Sequence, residues 1–442
     1  MKRTQLVPRI ALFASLMMLM ASAGSANPIV PGSTQSQPIL ITGGDLYTVS
    51  QGVLANTDLL FENGKITRIG RDLPAPAGAR TIDASGKRVY PGLILPGTTI
   101  GIVEISAVRA TTDYTEVGSL TPEVATHSAY NPDSEVIPTV RSNGVTTAQV
   151  MPFGSLIRGR SMITHFDGWT KEDAAVKLVD GLHLAWPRAT ISTAWWVRDS
   201  PEEQKKKMAE ERKKLRAMFD DARAYMKAKN AGEPVETNLS WEAMIPALEG
   251  QQSVYIEAGD YRQITEAVSF AAEYGLRMVL IGGRDAWLAA ALLKENDIPV
   301  IIRSIMALPT RDDEDYDIVY RLPTLLHDAG VRFCIGRSGS AGDSWDGRNL
   351  PFEGGMAAAF GLSKDEALRS ITLSTAEILG IADREGSLDV GKDATLFISE
   401  GDVMDVIGNR VTHMWIQGRE VDLDNRHKAL YRKYDRKPGN TR

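Results

Sequence analysis

The chain has 442 residues, which is long enough for one large domain with a smaller companion. Hydrophobic residues make up 43% and charged residues 24%, as in ordinary globular proteins, so the composition argues against disorder and against a membrane bundle. The formal net charge of -6 lacks the basic excess of a nucleic-acid-binding surface, so we expect no nucleic-acid partner.

The first residues have the pattern of an export signal. Three basic residues, the last of them Arg9, precede an apolar run over residues 10–21, and small residues follow. About a dozen apolar residues are too few to cross a bilayer, which takes roughly 20. We therefore predict a signal peptide over residues 1–26, cleaved after Ala23 or Ala26. The mature protein would be periplasmic or secreted, with no membrane span.

A linker and an all-β unit follow. Residues 27–38 are rich in Pro, Ser, Gly and Gln, which is a linker composition. Short strand-like segments come next, and the Asn-Gly pair at Asn63 between two of them is a strong hairpin signal. Strand patterns return near the C-terminus. We therefore predict one β-sandwich built from residues 39–92 and 385–423, with a basic tail over residues 424–442.

Residues 93–384 alternate strand and helix patterns. Apolar, often β-branched strands at VYIEA, RMVLI, PVIIR and VRFCI are separated by helical segments, which is typical of a parallel sheet. Asp260 and Gln263 form a predicted capping box, Gly275 is the residue after that helix, and Ser200 precedes a very polar helix. The fold class is therefore α/β, with the β-rich ends of the chain arranged around a barrel.

Several segments resemble the amidohydrolase superfamily of metal-dependent hydrolases. They are LFENGKITRIG near the start, ITLSTAEILGI, and the closing strands GSLDVGKDATLFI and VTHMWIQGREV, and the similarity spans roughly residues 39–422. The imidazolonepropionase-like branch is the nearest. The resemblance implies a (β/α)8 barrel of the TIM type with a small β-sandwich. In active members, zinc-like ions at the barrel mouth activate water for hydrolysis of C–N bonds in small cyclic amides or related substrates.

The resemblance also locates the positions at which active members hold these ions. Five of them carry residues other than the family's ligands: Gly97, Thr99, Glu257, Gly282 and Ser338. The family's bridging lysine falls, by a looser alignment, near His165. Because zinc affinity requires several ligands converging at about 2 Å, we predict a degenerate metal site with no bound metal and no other cofactor.

Glu257 is the strongest carboxylate candidate for a catalytic role. It is predicted at the C-terminal end of a strand, where this architecture places catalytic groups. Arg303 and Arg337 end two later strands, so a structural ion pair with one of them is the favoured alternative.

Asp343 and His165 are weaker candidates. Asp343, like its neighbour Asp346, lies in a Gly/Ser/Asp-rich loop whose composition a turn also explains. His165 belongs to no metal-binding motif, and an isolated histidine is generally structural.

Three tryptophans fit two interpretations. Trp186, Trp195 and Trp196 lie among prolines and polar residues. They could line a binding groove, because aromatic side chains supply large contact areas, or pack a long loop over the barrel rim.

These observations leave three functional hypotheses. The resemblance implies a hydrolase of C–N bonds. The missing ligands favour a non-catalytic relative that binds a small molecule, or assembles as a homo-oligomer or with a related subunit, because water without a metal is not activated. The third hypothesis is metal-free acid-base catalysis by Glu257 with an aspartate.

Overall fold

The computed structural model describes residues 30–154 and 156–437. The predicted signal peptide and the last five residues of the predicted tail lie outside the described residues. Within the described ranges, no helix combines the length and apolar character needed to cross a membrane.

The secondary structure consists of short strands and helices. The strands are β1 (Ile39–Tyr47), β2 (Val53–Glu62), β3 (Lys65–Gly70), β4 (Arg80–Asp83), β5 (Arg88–Pro91), β6 (Leu93–Thr98), β7 (Val145–Val150), β8 (Ile157–Arg160), β9 (Met162–His165), β10 (Ala175–Lys177), β11 (Leu182–Ala185), β12 (Ser253–Ala258), β13 (Arg277–Gly282), β14 (Val300–Arg303), β15 (Phe333–Gly336), β16 (Leu396–Ser399), β17 (Val411–Ile416) and β18 (Arg419–Glu420). The α-helices are α1 (Val136–Arg141), α2 (Lys171–Ala174), α3 (Pro201–Asn230), α4 (Leu239–Glu242), α5 (Ile245–Leu248), α6 (Tyr261–Tyr274), α7 (Ala290–Glu295), α8 (Ile318–Ala329), α9 (Asp343–Asp346), α10 (Leu350–Ala359), α11 (Lys364–Ser370), α12 (Leu373–Ile378) and α13 (Arg426–Asp435).

One eight-stranded sheet combines strands from both ends of the chain. Its order is β18-β17-β16-β5-β1-β2-β3, with β4 also paired to β1. The predicted hairpin at Asn63 is confirmed, since β2 and β3 are antiparallel around Asn63 and Gly64, both at positive φ. The sheet has its own hydrophobic core, in which Phe61 and Trp415 meet edge to face at 5.5 Å.

The barrel has eight strand positions in the part of the chain that the structure describes. β6 and β7 are parallel neighbours, as are β11, β12, β13, β14 and β15. Between β7 and β11 lie β9 and β8, separated only by Ser161, and both run antiparallel to their neighbours. The predicted fold class is confirmed, with one strand position reversed in direction.

β6 and β15 close the barrel through a seam that comprises Pro96, Gly97 and residues 337–339. The amide of Arg337 donates to the carbonyl of Pro96 at 2.9 Å, and that of Gly339 donates to the carbonyl of Gly97 at 2.8 Å. The two strands approach closely because Gly97, at a φ of 77°, has no side chain. This seam fixes the loop that follows β15 against the end of β6.

The helices begin and end where their capping residues predict. Ser200 and Glu203 form a capping box at the start of α3, and Asp260 and Gln263 form another at α6. Gly275 ends α6 in the left-handed conformation with a φ of 69°. Two further hydrophobic cores belong to the barrel. One lies between its strands and the helices, and the other fills its interior.

We expect Gly97→Ala to destabilise the protein, because the added methyl group would disrupt the seam. A Cβ at Gly97 would lie 2.3 Å from the carbonyl oxygen of Arg337, so the strands must separate in addition to the strain of a positive φ. The free energy of unfolding should fall by about 3 kcal/mol or more in urea denaturation. Gly86→Ala is the matched control, since Gly86 has a φ of 72° with open space around the added Cβ, and should cost about 1 kcal/mol. Equal losses in the two variants would contradict this role of the seam.

Candidate binding site at the barrel mouth

A cavity of about 500 Å³ lies at the C-terminal ends of β12 to β15. Its size falls in the range of small-molecule pockets. We refer to it as the mouth cavity. One wall is apolar and comes from the loop after β14 and from α8: Met306, Leu308, Ile318, Val319 and Leu322. The charged lining residues are Glu257, Arg284, Arg303, Arg337, Asp343 and Asp346.

Glu257 lines this cavity, but its cationic partner differs from the one predicted. The carboxylate pairs with Arg158 at 2.5 Å, and the arginine side chain is only 4% exposed. The predicted pairing with Arg303 or Arg337 is therefore wrong. Because β8 runs antiparallel to β11, its first residues lie at the mouth, and this reversal places Arg158 next to the end of β11, within reach of Glu257 on β12.

Arg337 instead forms a buried ion pair away from Glu257. Its guanidinium lies 2.6 Å from the carboxylate of Glu353 on α10. The same carboxylate accepts hydrogen bonds from the Ser304 hydroxyl and the Ile305 amide. Glu353 thus connects the ends of β14 and β15 to an outer helix. Arg303, in contrast, has no ion-pair partner among the residues that the structure describes.

Three of the five family metal positions lie in or beside the seam. The Thr99 hydroxyl donates to the carbonyl of Ser340 at 2.9 Å. The Ser338 amide donates to Asp343 at 3.1 Å, and the place of a side chain at Gly97 is taken by the backbone of Arg337. These positions therefore hold the loop after β15, and none of the three points a strong ligand into the cavity.

Gly282 is constrained in a similar way. It ends β13 next to Ala258 of β12, at a φ of 96° that side chains rarely adopt. A Cβ there would lie 3.3 Å from the Ala258 carbonyl oxygen. A histidine at this position would require a local rearrangement of the backbone.

The two weaker candidates are also committed to structural contacts. The Asp343 carboxylate accepts from the amides of Ser338 and Ser340, so it orders its own loop. His165 lies 2.8 Å from Glu385, and both side chains are buried. Since β9 is antiparallel to β7, His165 pairs with Thr147 near the start of β7, at the end of the barrel opposite Glu257. The structure therefore does not bring the candidates together.

The donor set does not fit the zinc centre of active members. Such a centre needs at least three converging nitrogen, sulfur or carboxylate ligands. Among residues 30–154 and 156–437, no group of three or more His, Cys, Asp or Glu side chains is arranged to hold a metal ion. Glu257 is engaged by Arg158, and Asp343 by backbone amides.

His183 is a buried group that the sequence analysis did not single out. It faces the barrel interior from β11, and its ring stacks on Tyr255 at 4.6 Å. Neither ring nitrogen has a hydrogen-bond partner among the described residues. Burial and the nearby Arg158 charge lower the pKa of His183 well below its ordinary value of 6.5, so the imidazole is neutral. The alternation of Leu182, His183 and Leu184 was the available signal for an inward side chain.

One of the three tryptophans is buried, and the other two are exposed. Trp186 is buried, packs edge to face on Phe270 and donates its indole hydrogen to Glu266. Trp195, which is 90% exposed, and Trp196 project from the loop after β11 and meet edge to face. Only Trp186 therefore packs the loop onto the barrel.

Comparisons with known proteins agree with this architecture. The amidohydrolase family model matches residues 288–421. The crystal structure of an amidohydrolase from Thermotoga maritima superposes with a TM-score of 0.77 at 24% identity, covering 87% of this chain and 99% of that one. Over residues 288–421 the chain is therefore similar to the amidohydrolase family, and over most of its length it shares the fold of the Thermotoga maritima amidohydrolase.

Curated relatives match over shorter stretches. A dihydroorotase from Geobacter metallireducens is 31% identical over 155 residues, 33% of this chain and 36% of that protein. A dihydroorotase from Trichlorobacter lovleyi is 52% identical over 56 residues, 13% of each chain. The amidohydrolase tasK of Hapsidospora irregularis is 24% identical over 396 residues, 82% of this chain and 39% of that protein. The chain thus matches well under half of the length of these relatives.

We expect Glu257→Gln to destabilise the protein by about 2 to 3 kcal/mol, because it leaves the buried Arg158 charge without its counter-ion. Glu420→Gln is the control. Glu420 pairs with Arg80 on the surface, where both side chains are about 40% exposed, and the loss there should stay below about 1 kcal/mol. Chemical denaturation of both variants measures the difference. A Glu257→Gln variant as stable as Glu420→Gln would contradict the assigned pairing.

The neutral state of His183 predicts a dependence of stability on pH. The unfolded chain binds a proton at His183 more readily than the folded protein does, so stability is lost as the pH falls below about 6.5. The contribution is at most about 1.4 kcal/mol for each pH unit. His183→Phe keeps an aromatic ring against Tyr255 and removes the titration, so its unfolding free energy should fall less between pH 7.5 and 5.5. Parallel pH profiles for the two proteins would refute the prediction.

Proposed function

We propose that this chain is an exported, non-catalytic member of the amidohydrolase superfamily that binds a small molecule in the mouth cavity. The observation that carries the proposal is the occupation of the metal positions. Gly97, Thr99 and Ser338 are used by the seam and its loop, and Gly282 has no side chain. Glu257, the remaining strong donor among the five, is held by Arg158.

This arrangement removes the main catalytic device of the family. A metal ion lowers the pKa of bound water to about 7 and polarises the bond to be cleaved. A metal-free mechanism would need a free carboxylate as base, whereas Glu257 is held in an ion pair with Arg158. Family membership supports hydrolase ancestry, and the dihydroorotase matches support small cyclic amides as the ancestral substrate class.

The N-terminal sequence supports export. Basic residues, an apolar run and small residues follow one another over residues 1–26 in the order of a secretory signal. Export would place the mature protein in the periplasm or the medium.

A complex with a second subunit is the alternative function. Exposed apolar side chains on three mouth-side loops favour it: Ile191, Trp195, Trp196, Met306, Leu308, Tyr316 and Trp345. Apolar groups gathered at one end of a protein commonly mark an interaction surface. A homo-oligomer or an assembly with a related chain would cover this end of the barrel. Light scattering of the purified protein distinguishes these assemblies from a monomer.

The test of the proposal is metal analysis of protein purified from the exported fraction. We expect elemental analysis to find well below one zinc per chain, and chelation by EDTA to move the melting temperature by no more than about 1 °C. A structural zinc site contributes on the order of 10 kcal/mol, so its removal would lower the melting temperature by many degrees. One bound zinc per chain, or hydrolysis of dihydroorotate after zinc addition, would overturn the proposal.

A further inference from the structure

We propose that the mouth cavity binds a small zwitterion, a molecule with one carboxylate and one ammonium group separated by an apolar body. Arg303 would bind the carboxylate and Asp346 the ammonium group. This inference rests on the proposed function, because it names the ligand of the same cavity.

The charges around the cavity carry the inference. Four of the six charged lining residues are satisfied within the protein: Glu257 by Arg158, Arg337 by Glu353, Arg284 by Asp285, and Asp343 by two backbone amides. The other two charged lining residues are Arg303 and Asp346. Among the described residues, neither side chain has an ion-pair or hydrogen-bond partner, and the two do not pair with each other. The cavity thus presents one free charge of each sign.

A ligand with a single charge would satisfy only half of this arrangement. An anion held by Arg303 would still face the Asp346 carboxylate, and a cation held by Asp346 would still face Arg303. A zwitterion neutralises both, and each contact becomes a charge-assisted hydrogen bond. The guanidinium also matches the planar carboxylate in a two-point contact, which a lysine could not provide.

The position and size of the cavity agree with this assignment. Arg303 ends β14, and Asp346 ends α9 in the loop after the neighbouring strand β15. The apolar wall formed by Met306, Leu308 and Leu322 lines the same cavity and suits an aliphatic body. A volume of about 500 Å³ accommodates a ligand of amino-acid to dipeptide size.

Three peptides that share the same two leucine residues but differ in their terminal charges test the assignment of each charge. Leucyl-leucine carries both charges, N-acetyl-leucyl-leucine carries only the carboxylate, and leucyl-leucine amide carries only the ammonium group. Isothermal titration of the mature protein should show leucyl-leucine binding about tenfold more tightly than either blocked peptide. Free leucine and glycyl-leucine serve as further zwitterionic probes. Equal affinity for leucyl-leucine and a blocked peptide would overturn the proposal.

Two variants assign the charges to their residues. Arg303→Gln should weaken leucyl-leucine about tenfold without weakening the amide peptide, because that peptide has no carboxylate to lose. Asp346→Asn should weaken leucyl-leucine without weakening the acetylated peptide. Arg332→Gln, at the opposite end of the barrel beside the start of β15, is the control and should alter no affinity. Melting temperatures of all three variants verify that they are folded.

The outcomes separate this inference from the proposed function. If none of the zwitterionic probes binds and the protein is metal-free, the ligand class is wrong while the non-catalytic function stands. If leucyl-leucine binds and nuclear magnetic resonance shows release of leucine, the ligand class stands and the non-catalytic function is wrong. Loss of binding in Arg332→Gln equal to that in Arg303→Gln would also overturn the assignment.

Discussion

The seam between β6 and β15 is the constraint on which the mouth of this barrel depends. Two backbone hydrogen bonds join the strands, and they require Gly97 to present no side chain toward Arg337. The loop after β15 is thereby placed against the end of β6. Because the loop lies there, Thr99 contacts Ser340, and Ser338 contacts Asp343. Three of the five residues at the family's metal positions thus belong to the scaffold of the mouth.

Ion pairs organise the rest of this end of the barrel. Arg158 with Glu257 connects strands that are distant in sequence, and Arg337 with Glu353 connects the end of β15 to α10. Buried pairs of this kind fix geometry more than they add stability, because desolvation offsets much of their attraction. They also leave a cavity in which most charges are already neutralised. Recognition of a ligand then depends on the few charges that remain free.

Features that depend on neighbouring residues could be predicted from the sequence. The capping boxes at Ser200 and Asp260 and the hairpin at Asn63 each arise from residues within a few positions of one another. The fold class followed from strand and helix patterns with the family resemblance. The partner of Glu257 could not be predicted, because it depends on the reversed direction of β8. The location of His165 depends on the same reversal, since β9 shares that direction and carries it to the far end of the barrel.

The glycine at position 97 also bears on how such a barrel can evolve. Once two strands have closed over the space of a missing side chain, placing a histidine at position 97 by one substitution would force them apart before any metal affinity was gained. A metal site needs several ligands at once, so a single substitution that adds one ligand lowers stability without creating metal affinity. The proposed function therefore predicts that descendants of such a chain diversify in ligand recognition rather than regain metal-dependent hydrolysis.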